Sequence, residues 1–392
     1  MLGEKMQKTL MNFQGKIPIT KPYFTEDEEK AVIEVLRSGW VCQGPKVDEF
    51  ETQFADFIGA KYALATSSCT TALHLALVSL GIGQGDEVII PAFTFVATAN
   101  AVEYQRAKPV FVDIDIQTFN IDPEKIEEKI TSKTKVIIPV QLFGLSADMD
   151  KIMEIAKRYN LKVIEDAACA VGTLYKGQHV GTFGEIGCFS FHPRKSITTG
   201  EGGMVTTNSE ELWNRMKTLR DHGATVSDLE RHKKGEFALP EYNMVGYNYR
   251  LTDLQGALGI AQMKKLEMIL EKRRQFAQRY NEALKDIPWI SLPLEPDDYY
   301  HTYQSYVLLI NDDAPISRDE LALRLINKGI SVRQGTHAIQ TLGYYRKKYN
   351  IDPEDFPASL KAHNQSLTLP LYFNMTSDEQ DYIITAELYE NC

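Results

Sequence analysis

Lys195 and Asp166 are the residues of this chain whose surroundings most favour chemistry. Lys195 lies in SFHPRKSITTGEGGMV, a segment rich in glycine and threonine, and Asp166 ends the apolar run LKVIEDAA. A buried acid at a strand end and a lysine in a glycine-rich turn match the needs of pyridoxal 5'-phosphate (PLP). The acid keeps the pyridine nitrogen protonated, while the lysine holds the cofactor aldehyde as a Schiff base and moves protons.

Each of these two residues also has an ordinary interpretation. A lysine in a loop is usually a solvated charge, and an aspartate at a strand end is often a turn or cap residue. Gly200, Gly202 and Gly203 follow the lysine, and such glycines give a tight turn in which the backbone can approach a ligand closely. This neighbourhood favours a catalytic role for Lys195.

A second motif, ATSSCTT at residues 65–71, joins a predicted strand to a predicted helix. Free backbone N–H groups and the helix dipole make such a turn an anion site, so we expect the cofactor phosphate to lie against Cys69 and Thr70. Clusters of Ser and Thr also cap many helices without binding a ligand. The motif lacks the glycine spacing of a Walker loop or a dinucleotide fingerprint, but it precedes the acid and the lysine in a consistent order.

Two further residues could contact the cofactor ring. Phe95, in PAFTFVATAN, follows a predicted strand end and could stack on the pyridine face, or it could belong to the core. Cys169 comes three residues after Asp166 and could touch the ring or its hydroxyl, or it could be a small buried apolar residue.

The elements that must position these residues alternate along the middle of the chain. Predicted strands DEVIIPAF, KPVFVDID, TKVIIPVQL and KVIEDA are separated by predicted helices FVATANAVEYQ, PEKIEEKI and MDKIMEIAKRYN. Continuous Val/Ile strands between helices indicate a mostly parallel sheet covered on both faces. Sites in such sheets gather at the carboxyl ends of the strands, where Asp166 and the SSCTT turn both fall.

The flanking regions are predicted to differ from this pattern. Residues 1–16 are predicted to form an N-terminal arm, and Thr25 with Glu28 predicts a capping box at the start of a helix. The large α/β domain is predicted over residues 17–262, and a smaller α+β domain over residues 263–392. The smaller part is expected to contain a strand at TYQSYVLLI, a helix at SRDELALRLINKG and a short strand at SVRQG.

Composition limits the class of protein. The chain has 392 residues, 43% of them hydrophobic, and a formal net charge of −10, which argues against a general nucleic-acid or anionic-membrane binder. Its five cysteines and eight histidines form no zinc signature, so no metal is expected, and reduced thiols fit a cytoplasmic protein. No signal-peptide core and no apolar run of about 18 residues is present, so no membrane association is expected.

Taken together, the motifs resemble those of the DegT/DnrJ-type sugar-nucleotide aminotransferases, a branch of the fold-type I PLP enzymes. The resemblance runs from IPITKPYF to LPLYFNMTSDEQ. It is carried by the segments SGWVCQGPKVDEFE, SSCTTALHLAL, DEVIIPAFTFVATANA, IEDAACAVG, SFHPRKSITTGEGGMVTTN and GYNYRLTDLQGALG. It implies an aspartate-aminotransferase-like fold, with a mostly parallel seven-stranded sheet in the large domain.

The resemblance also implies roles for individual residues. Lys195 would form the Schiff base and Asp166 would pair with the pyridinium nitrogen. Ser190 would contact the phosphate beside the SSCTT turn, and Phe95 would cover the ring. Asn248 would reach the phosphate of a neighbouring subunit, which makes a homodimer with shared active sites the expected minimum.

The chain departs from the family pattern at four positions near the site. Cys69 stands where many members carry Gly or Ala, Cys169 replaces Gln or His, and Arg194 and Ser196 flank the lysine where Thr or Ser and Asn are usual. A related group of sugar 3-dehydratases carries His in place of the lysine, so Lys195 favours transamination.

The implied reaction moves an amino group from L-glutamate to the keto carbon of a nucleotide-linked keto-deoxysugar, with pyridoxamine 5'-phosphate as the intermediate cofactor form. C4 is slightly favoured over C3, and bacterial surface polysaccharide, such as the O-antigen of lipopolysaccharide, is the usual setting. Lys21, Arg250 and Arg333 are candidates for the substrate's pyrophosphate, and His337 and Gln43 for the sugar; each could equally be an ordinary surface residue.

Two other interpretations stay open at this point. One keeps PLP but makes the protein a nucleotide-sugar dehydratase, and the other makes it a PLP-binding regulator without turnover, since a fold alone does not prove catalysis. The intact Lys195, Asp166 and GEGG turn, with no basic DNA-binding segment, argue against the regulator.

Overall fold

The computed structural model describes residues 15–226, 240–386 and 388. Most of the predicted N-terminal arm, residues 1–14, lies outside the described residues. In the described part, no helix has both the length and the apolar character needed to cross a membrane.

A seven-stranded sheet forms the centre of the molecule and confirms the predicted mostly parallel architecture. Its spatial order is β1-β10-β9-β6-β5-β2-β4, and β10 alone runs antiparallel to its two neighbours. The strands are β1 (Tyr62–Thr66), β2 (Glu87–Pro91), β4 (Lys108–Val112), β5 (Thr134–Ile137), β6 (Lys162–Asp166), β9 (Ile186–Ser190) and β10 (Gly203–Thr207). A two-residue strand, β3 (Phe93–Thr94), follows β2 outside this sheet.

Helices cover both faces of the sheet. They are α1 (Glu26–Ser38), α2 (Pro45–Ile58), α3 (Cys69–Ser79), α4 (Val96–Tyr104), α5 (Met149–Tyr159), α6 (Glu210–Arg220) and α7 (Asp253–Met263). One apolar cluster joins α3, α4 and α6 to one side of the strands, while α5 packs on the opposite side through residues such as Ile152 against Ile137 and Val163. The capping box predicted at Thr25 and Glu28 is present at the start of α1.

A second core surrounds a three-stranded antiparallel sheet in the C-terminal part. Its strands are ordered β11-β13-β15, with β11 at Ile290–Ser291, β13 at Tyr306–Ile310 and β15 at Ser366–Leu369. The helices of this part are α8 (Leu266–Leu284), α9 (Arg318–Asn327), α10 (Gly343–Tyr349), α11 (Pro357–Gln365) and α12 (Ser377–Ala386). Helix α8 contributes Leu270 to the core of the large sheet and Tyr280 to this second core, so it links the two.

The N-terminal segment joins this second core rather than the large sheet. Ile17 is fully buried there and pairs with Ile330, because its N–H donates to the carbonyl of Gly329 and its carbonyl accepts from Ser331. The domain boundaries proposed from the sequence stay a prediction.

Two predicted elements are wrong in type. PEKIEEKI forms two short 3-10 helices, Pro123–Lys125 and Glu127–Lys129, instead of one α-helix, because its charged residues leave only Ile126 fully buried. SVRQG is not a strand but makes a single bridge between Arg333 and Thr368. Three further two-residue strands form a small antiparallel sheet, in which β7 (Leu174–Tyr175) lies between β8 (Gln178–His179) and β12 (Tyr299–Tyr300) and pairs with both.

Candidate active site

Asp166 ends β6, and its carboxylate is buried at the carboxyl end of the sheet with a relative exposure of 4%. Its Oδ2 accepts a hydrogen bond from the Thr98 hydroxyl at 2.8 Å, and its Oδ1 accepts from the Ala168 N–H at 3.2 Å. Burial raises the pKa of Asp166, against the lowering effects of these two donors and of the Lys195 charge. The acid is therefore held in place with acceptor capacity remaining on both oxygens.

Lys195 lies in the turn that leads from β9 to β10. Its Nζ donates to the Sγ of Cys169 at 3.1 Å, three residues beyond Asp166. The turn is held by the Thr198 hydroxyl, which donates to the Phe191 carbonyl at 2.7 Å, and it contains Gly200 at φ +83°. The local fold thus brings the amine to the end of the sheet at which the buried carboxylate stands.

The SSCTT turn forms the start of α3 as predicted. The Ser68 side chain accepts from the Thr71 N–H, which leaves the N–H groups of Cys69 and Thr70, in the first turn, without an intrahelical acceptor. These two groups can therefore bind an anion. A Cβ on Gly203 would come within 2.4 Å of the Ser68 carbonyl carbon and 2.7 Å of the Cys69 nitrogen, so only glycine lets β10 pass this turn.

Cys69 and Ser190 lie at the same end of the sheet. Burial raises the pKa of the Cys69 thiol well above its ordinary value, and the negative charge of Asp166 raises it further. The thiol is therefore a neutral wall of the site rather than a nucleophile. Ser190 ends β9, and its hydroxyl accepts from the N–H of His192 at 3.4 Å.

Phe95 and His337 lie next to each other at the edge of this region. Phe95 follows Thr94, whose hydroxyl is 3.1 Å from that of Thr98, the donor to Asp166. The Phe95 side chain is 61% exposed, so it is not a core residue. His337 lies opposite Thr94 in the ladder between β3 and β14 (His337–Ala338), which brings the C-terminal part of the chain to the site.

The other residues predicted to bind the substrate lie in different parts of the structure. Arg333 lines a pocket with Thr20, which precedes the exposed Lys21, and with Arg194. Arg250 forms an ion pair with Asp221, so its charge is already neutralised locally. Gln43 precedes α2, and its backbone carbonyl accepts from the Trp40 indole at 3.1 Å.

No hydrogen bond or ion pair between described residues joins Lys21, Gln43 or Arg250 to Lys195 or Asp166. Asn248 is exposed, and its segment is tied to the phosphate turn, because the Ser67 N–H donates to the Tyr249 carbonyl at 2.9 Å.

Sequence reasoning missed Thr98 and Arg194. Thr98 lies in the first turn of α4, and no local pattern indicates that its hydroxyl reaches Asp166, 68 residues further along the chain. In the sequence, Arg194 stands out only as a departure from the family pattern. Its proximity to Arg333 depends on a long-range contact that no local pattern encodes.

These residues fit PLP. The fit rests on a buried carboxylate with free acceptor capacity, a lysine amine at the same strand ends, and two unpaired N–H groups at a helix start. The carboxylate would hold the pyridinium nitrogen, the lysine amine would hold the aldehyde carbon, and the two N–H groups would hold the phosphate.

Comparison with known proteins agrees with this geometry. The model of the DegT/DnrJ/EryC1/StrS aminotransferase family matches residues 22–387, and the chain belongs to this family. The spore coat polysaccharide biosynthesis protein SpsC of Bacillus subtilis is 41% identical over 374 residues, which are 94% of this chain and 96% of SpsC.

Two solved structures are similar over nearly their whole length. Spr1654 from Streptococcus pneumoniae, in its PMP form, has a TM-score of 0.89 at 30% identity and covers 95% of this chain and 99% of its own. It has also been solved in a PLP form. Helicobacter pylori PseC, an aminotransferase involved in the biosynthesis of pseudoaminic acid, has a TM-score of 0.89 at 29% identity and covers 96% of this chain and 100% of its own.

The family and the fold confirm the resemblance found in the sequence. The protein is a PLP-dependent sugar aminotransferase with the fold-type I architecture.

Proposed function

We propose that the protein moves the amino group of L-glutamate to the keto carbon of a nucleotide-linked keto-deoxysugar, with C4 slightly favoured over C3. The observation that carries this proposal is the position of the Lys195 amine, 3.1 Å from the thiol of Cys169 and at the strand ends that hold Asp166. A lysine at this place supports transamination over dehydration, and it also argues against a regulator without turnover.

The roles proposed for the residues follow from their contacts. PLP supplies an electron sink when it is bound. Asp166, steadied by Thr98, keeps a positive charge on the pyridine nitrogen. Lys195 would hold the aldehyde of the cofactor, and its free amine would carry the proton that leaves Cα of the amino donor. Phe95, whose side chain is exposed, would cover the ring and exclude water from one of its faces.

Three groups are proposed to hold the phosphate of the cofactor: the N–H groups of Cys69 and Thr70 and the hydroxyl of Ser190. Cys169 lies beside the lysine, so we assign it a contact with the ring or its hydroxyl. His337, at the edge of the site next to Phe95, is proposed to contact the sugar. Gln43 and Lys21 are weaker proposals for the sugar and its pyrophosphate, because no described contact links them to the reacting residues.

A homodimer with shared active sites is also proposed. The exposure of Asn248 supports it, since an exposed amide beside the phosphate turn of its own subunit can reach a neighbouring one. Arg250, two residues further on, would approach the pyrophosphate only if its ion pair with Asp221 opened. Synthesis of a bacterial surface glycan, O-antigen or lipopolysaccharide among them, and a cytoplasmic location stay predictions.

A half-reaction screen tests the proposed reaction. The enzyme is first converted to its pyridoxamine phosphate form with L-glutamate, freed of 2-oxoglutarate, and mixed with a panel of nucleotide ketosugars. We expect the absorbance of the PLP form to return with one sugar class, together with a stable aminated product. Release of a dehydrated sugar, or no return with any ketosugar, would contradict the proposal. Mass spectrometry and NMR of the product distinguish C3 from C4.

A further inference from the structure

The side chain of Cys169 is in contact with a lysine amine and is partly exposed. Its Sγ accepts a hydrogen bond from the Nζ of Lys195 at 3.1 Å. The residue is only half-buried, so a solute as small as hydrogen peroxide can reach the sulfur. A sulfur that can be reached and a nitrogen that already touches it are the two parts that a covalent sulfur–nitrogen bond requires.

The other described cysteines lack one of these two properties. Cys69 and Cys188 are buried, and burial raises the pKa of both thiols well above its ordinary value, which keeps them neutral and unreactive. Cys42 is exposed, but no described contact joins its thiol to a lysine. Of the described thiols near the reacting residues, Cys169 is therefore the one that an oxidant entering the site can attack.

A second positive group lies near the sulfur of Cys169. Burial lowers the pKa of the Arg333 guanidinium and the charge of Arg194 lowers it further, whereas the charge of Cys169 acts in the opposite direction. The sulfur thus lies within the field of a guanidinium as well as beside the Lys195 amine. Because a thiolate is the form of sulfur that attacks a peroxide, neighbouring cations favour this reaction.

Position 169 is also one at which this chain departs from its family pattern. Cysteine stands where Gln or His is usual. A carboxamide or an imidazole cannot take up an oxygen from peroxide and pass to a sulfur–nitrogen bond. The chemistry available beside Lys195 is therefore a property of this chain and not of the family pattern.

We propose that peroxide joins Cys169 to Lys195 through a covalent S–N bond, a sulfenamide, when the lysine amine does not hold the cofactor. This inference rests on the proposed function, because it takes Lys195 as the lysine that holds PLP. In the PLP form the nitrogen is engaged by the cofactor aldehyde, and in the pyridoxamine phosphate form it is free. Oxidation would therefore block the enzyme in the form that waits for the ketosugar.

The reaction consumes one peroxide for each bond formed. The sulfur of Cys169 attacks a peroxide oxygen, the O–O bond breaks, and a sulfenic acid forms as one water leaves. The amine of Lys195 then attacks the sulfur, the S–O bond breaks, and the nitrogen loses a proton as a second water leaves. The sulfur is oxidised and the peroxide is reduced. An added thiol attacks the sulfur, releases the amine and finally restores the cysteine by thiol–disulfide exchange.

The bond would stop turnover reversibly. A lysine nitrogen tied to Cys169 can neither hold the cofactor aldehyde nor move a proton. The bond also removes the sulfenic acid, which would otherwise be open to further, irreversible oxidation to the sulfinic acid.

The test compares two cofactor forms of the wild-type enzyme, one reconstituted with PLP and one with pyridoxamine phosphate. Each is treated with hydrogen peroxide, which is then removed with catalase. Mass spectrometry after non-reducing digestion should show the peptides of Cys169 and Lys195 joined, with the loss of two hydrogen atoms, in the pyridoxamine phosphate form and not in the PLP form. The joined form should lose most of its activity and recover it with dithiothreitol.

Three variants identify the two atoms. C169S should form no bridge, and K195A should leave Cys169 as a sulfenic acid that dimedone labels. C42S, at an exposed cysteine, is the control and should form the bridge as the wild type does. The products are read by mass, so a low activity of a variant does not affect the result.

Cys169 recovered only as a sulfenic or sulfinic acid, or in a disulfide with Cys69, would overturn the inference. Equal bridging in the two cofactor forms would overturn it as well. These outcomes leave transamination intact, because reconstitution with pyridoxamine phosphate needs no amino donor. Failure of L-glutamate to convert the PLP form would instead refute the proposed donor, and borohydride labelling of another lysine would refute the role of Lys195.

Discussion

Two consecutive acids of β6, Glu165 and Asp166, are both buried but are bonded very differently. The carboxylate of Glu165 accepts hydrogen bonds from the N–H groups of Gly181, Phe183 and Gly184 at 2.7 to 3.0 Å, and from the Gln141 amide at 3.0 Å. Among the residues that the structure describes, Asp166 accepts only from Thr98 and Ala168. Because side chains alternate along a strand, the two carboxylates lie on opposite faces of the sheet.

The difference separates a carboxylate that is saturated by hydrogen bonds within the fold from one that can still bind a ligand. Burial raises the pKa of both, but the donors around Glu165 use most of the acceptor capacity of a carboxylate, and it has little left for a ligand. Asp166 keeps free acceptor capacity at the end of the strand, on the side of Lys195. Burial does not distinguish Glu165 from Asp166, but the number of hydrogen-bond donors around each carboxylate does.

The substitution expected to have the largest effect on activity replaces Lys195, which lies at the same end of the sheet as Asp166. Lys195→Ala should abolish turnover, because it removes the amine that is proposed to hold the cofactor and to move the proton. Single-turnover absorbance with L-glutamate measures this. Borohydride reduction should label Lys195 in the wild type and no residue in the variant; normal turnover in the variant would refute the assignment.

Asp166→Asn should have the second largest effect and lower activity by about a hundredfold to a thousandfold. This is the usual loss when one preorganised electrostatic contact at the reacting centre is removed. The amide cannot hold the charge of the pyridinium nitrogen. The cofactor spectrum and kcat are measured together, with the melting temperature as the control for folding. Full activity with a normal cofactor spectrum would contradict the role proposed for Asp166.

Thr98→Val should have a moderate effect, because it removes one donor to Asp166 but keeps the side-chain shape. Loss of the donor disfavours the charged carboxylate and so raises its pKa further, which moves the acid limb of the kcat/KM profile to higher pH. At neutral pH we expect a loss of about tenfold. The pH profile checks the sign: a limb that moves to lower pH would contradict the role of Thr98, and Thr52→Val, at an exposed threonine of α2, serves as the control.

Glu165→Gln should have the smallest effect on chemistry and a clear effect on stability. The new amide group would face backbone N–H donors, so the free energy of unfolding should fall by about 2 kcal/mol, while kcat per folded molecule stays near the wild-type value. Urea denaturation and kcat of the folded fraction measure the two quantities. A large loss of kcat without loss of stability would mean that the two acids do not differ as described.

Much of this arrangement could be predicted from the sequence, because its determinants are local. The Val/Ile strands, the capping box at Thr25 and the turn after Lys195 depend on neighbouring residues, and the mostly parallel sheet followed from them. The order of motifs then placed Asp166 and Lys195 at the same strand ends.

What could not be predicted depends on contacts between distant parts of the chain. Nothing around Ile17 indicates that it pairs with Ile330, and nothing around Arg194 indicates the approach of Arg333. The exposed fraction of Phe95 depends on how β3 pairs with β14, which leaves its ring outside the core. PEKIEEKI carries a helical pattern, but it forms two short 3-10 helices in which only Ile126 is fully buried against the rest of the molecule.

Gly203 is not among the residues proposed to react, yet its lack of a side chain allows the start of α3 to lie close to β10. A methyl group there would collide with the backbone of Ser68 and Cys69 and push the helix start away from β10. Such a displacement would move the N–H groups proposed to hold the phosphate away from Lys195 and Asp166. The alignment of the whole reaction thus depends on the absence of a single carbon from one strand.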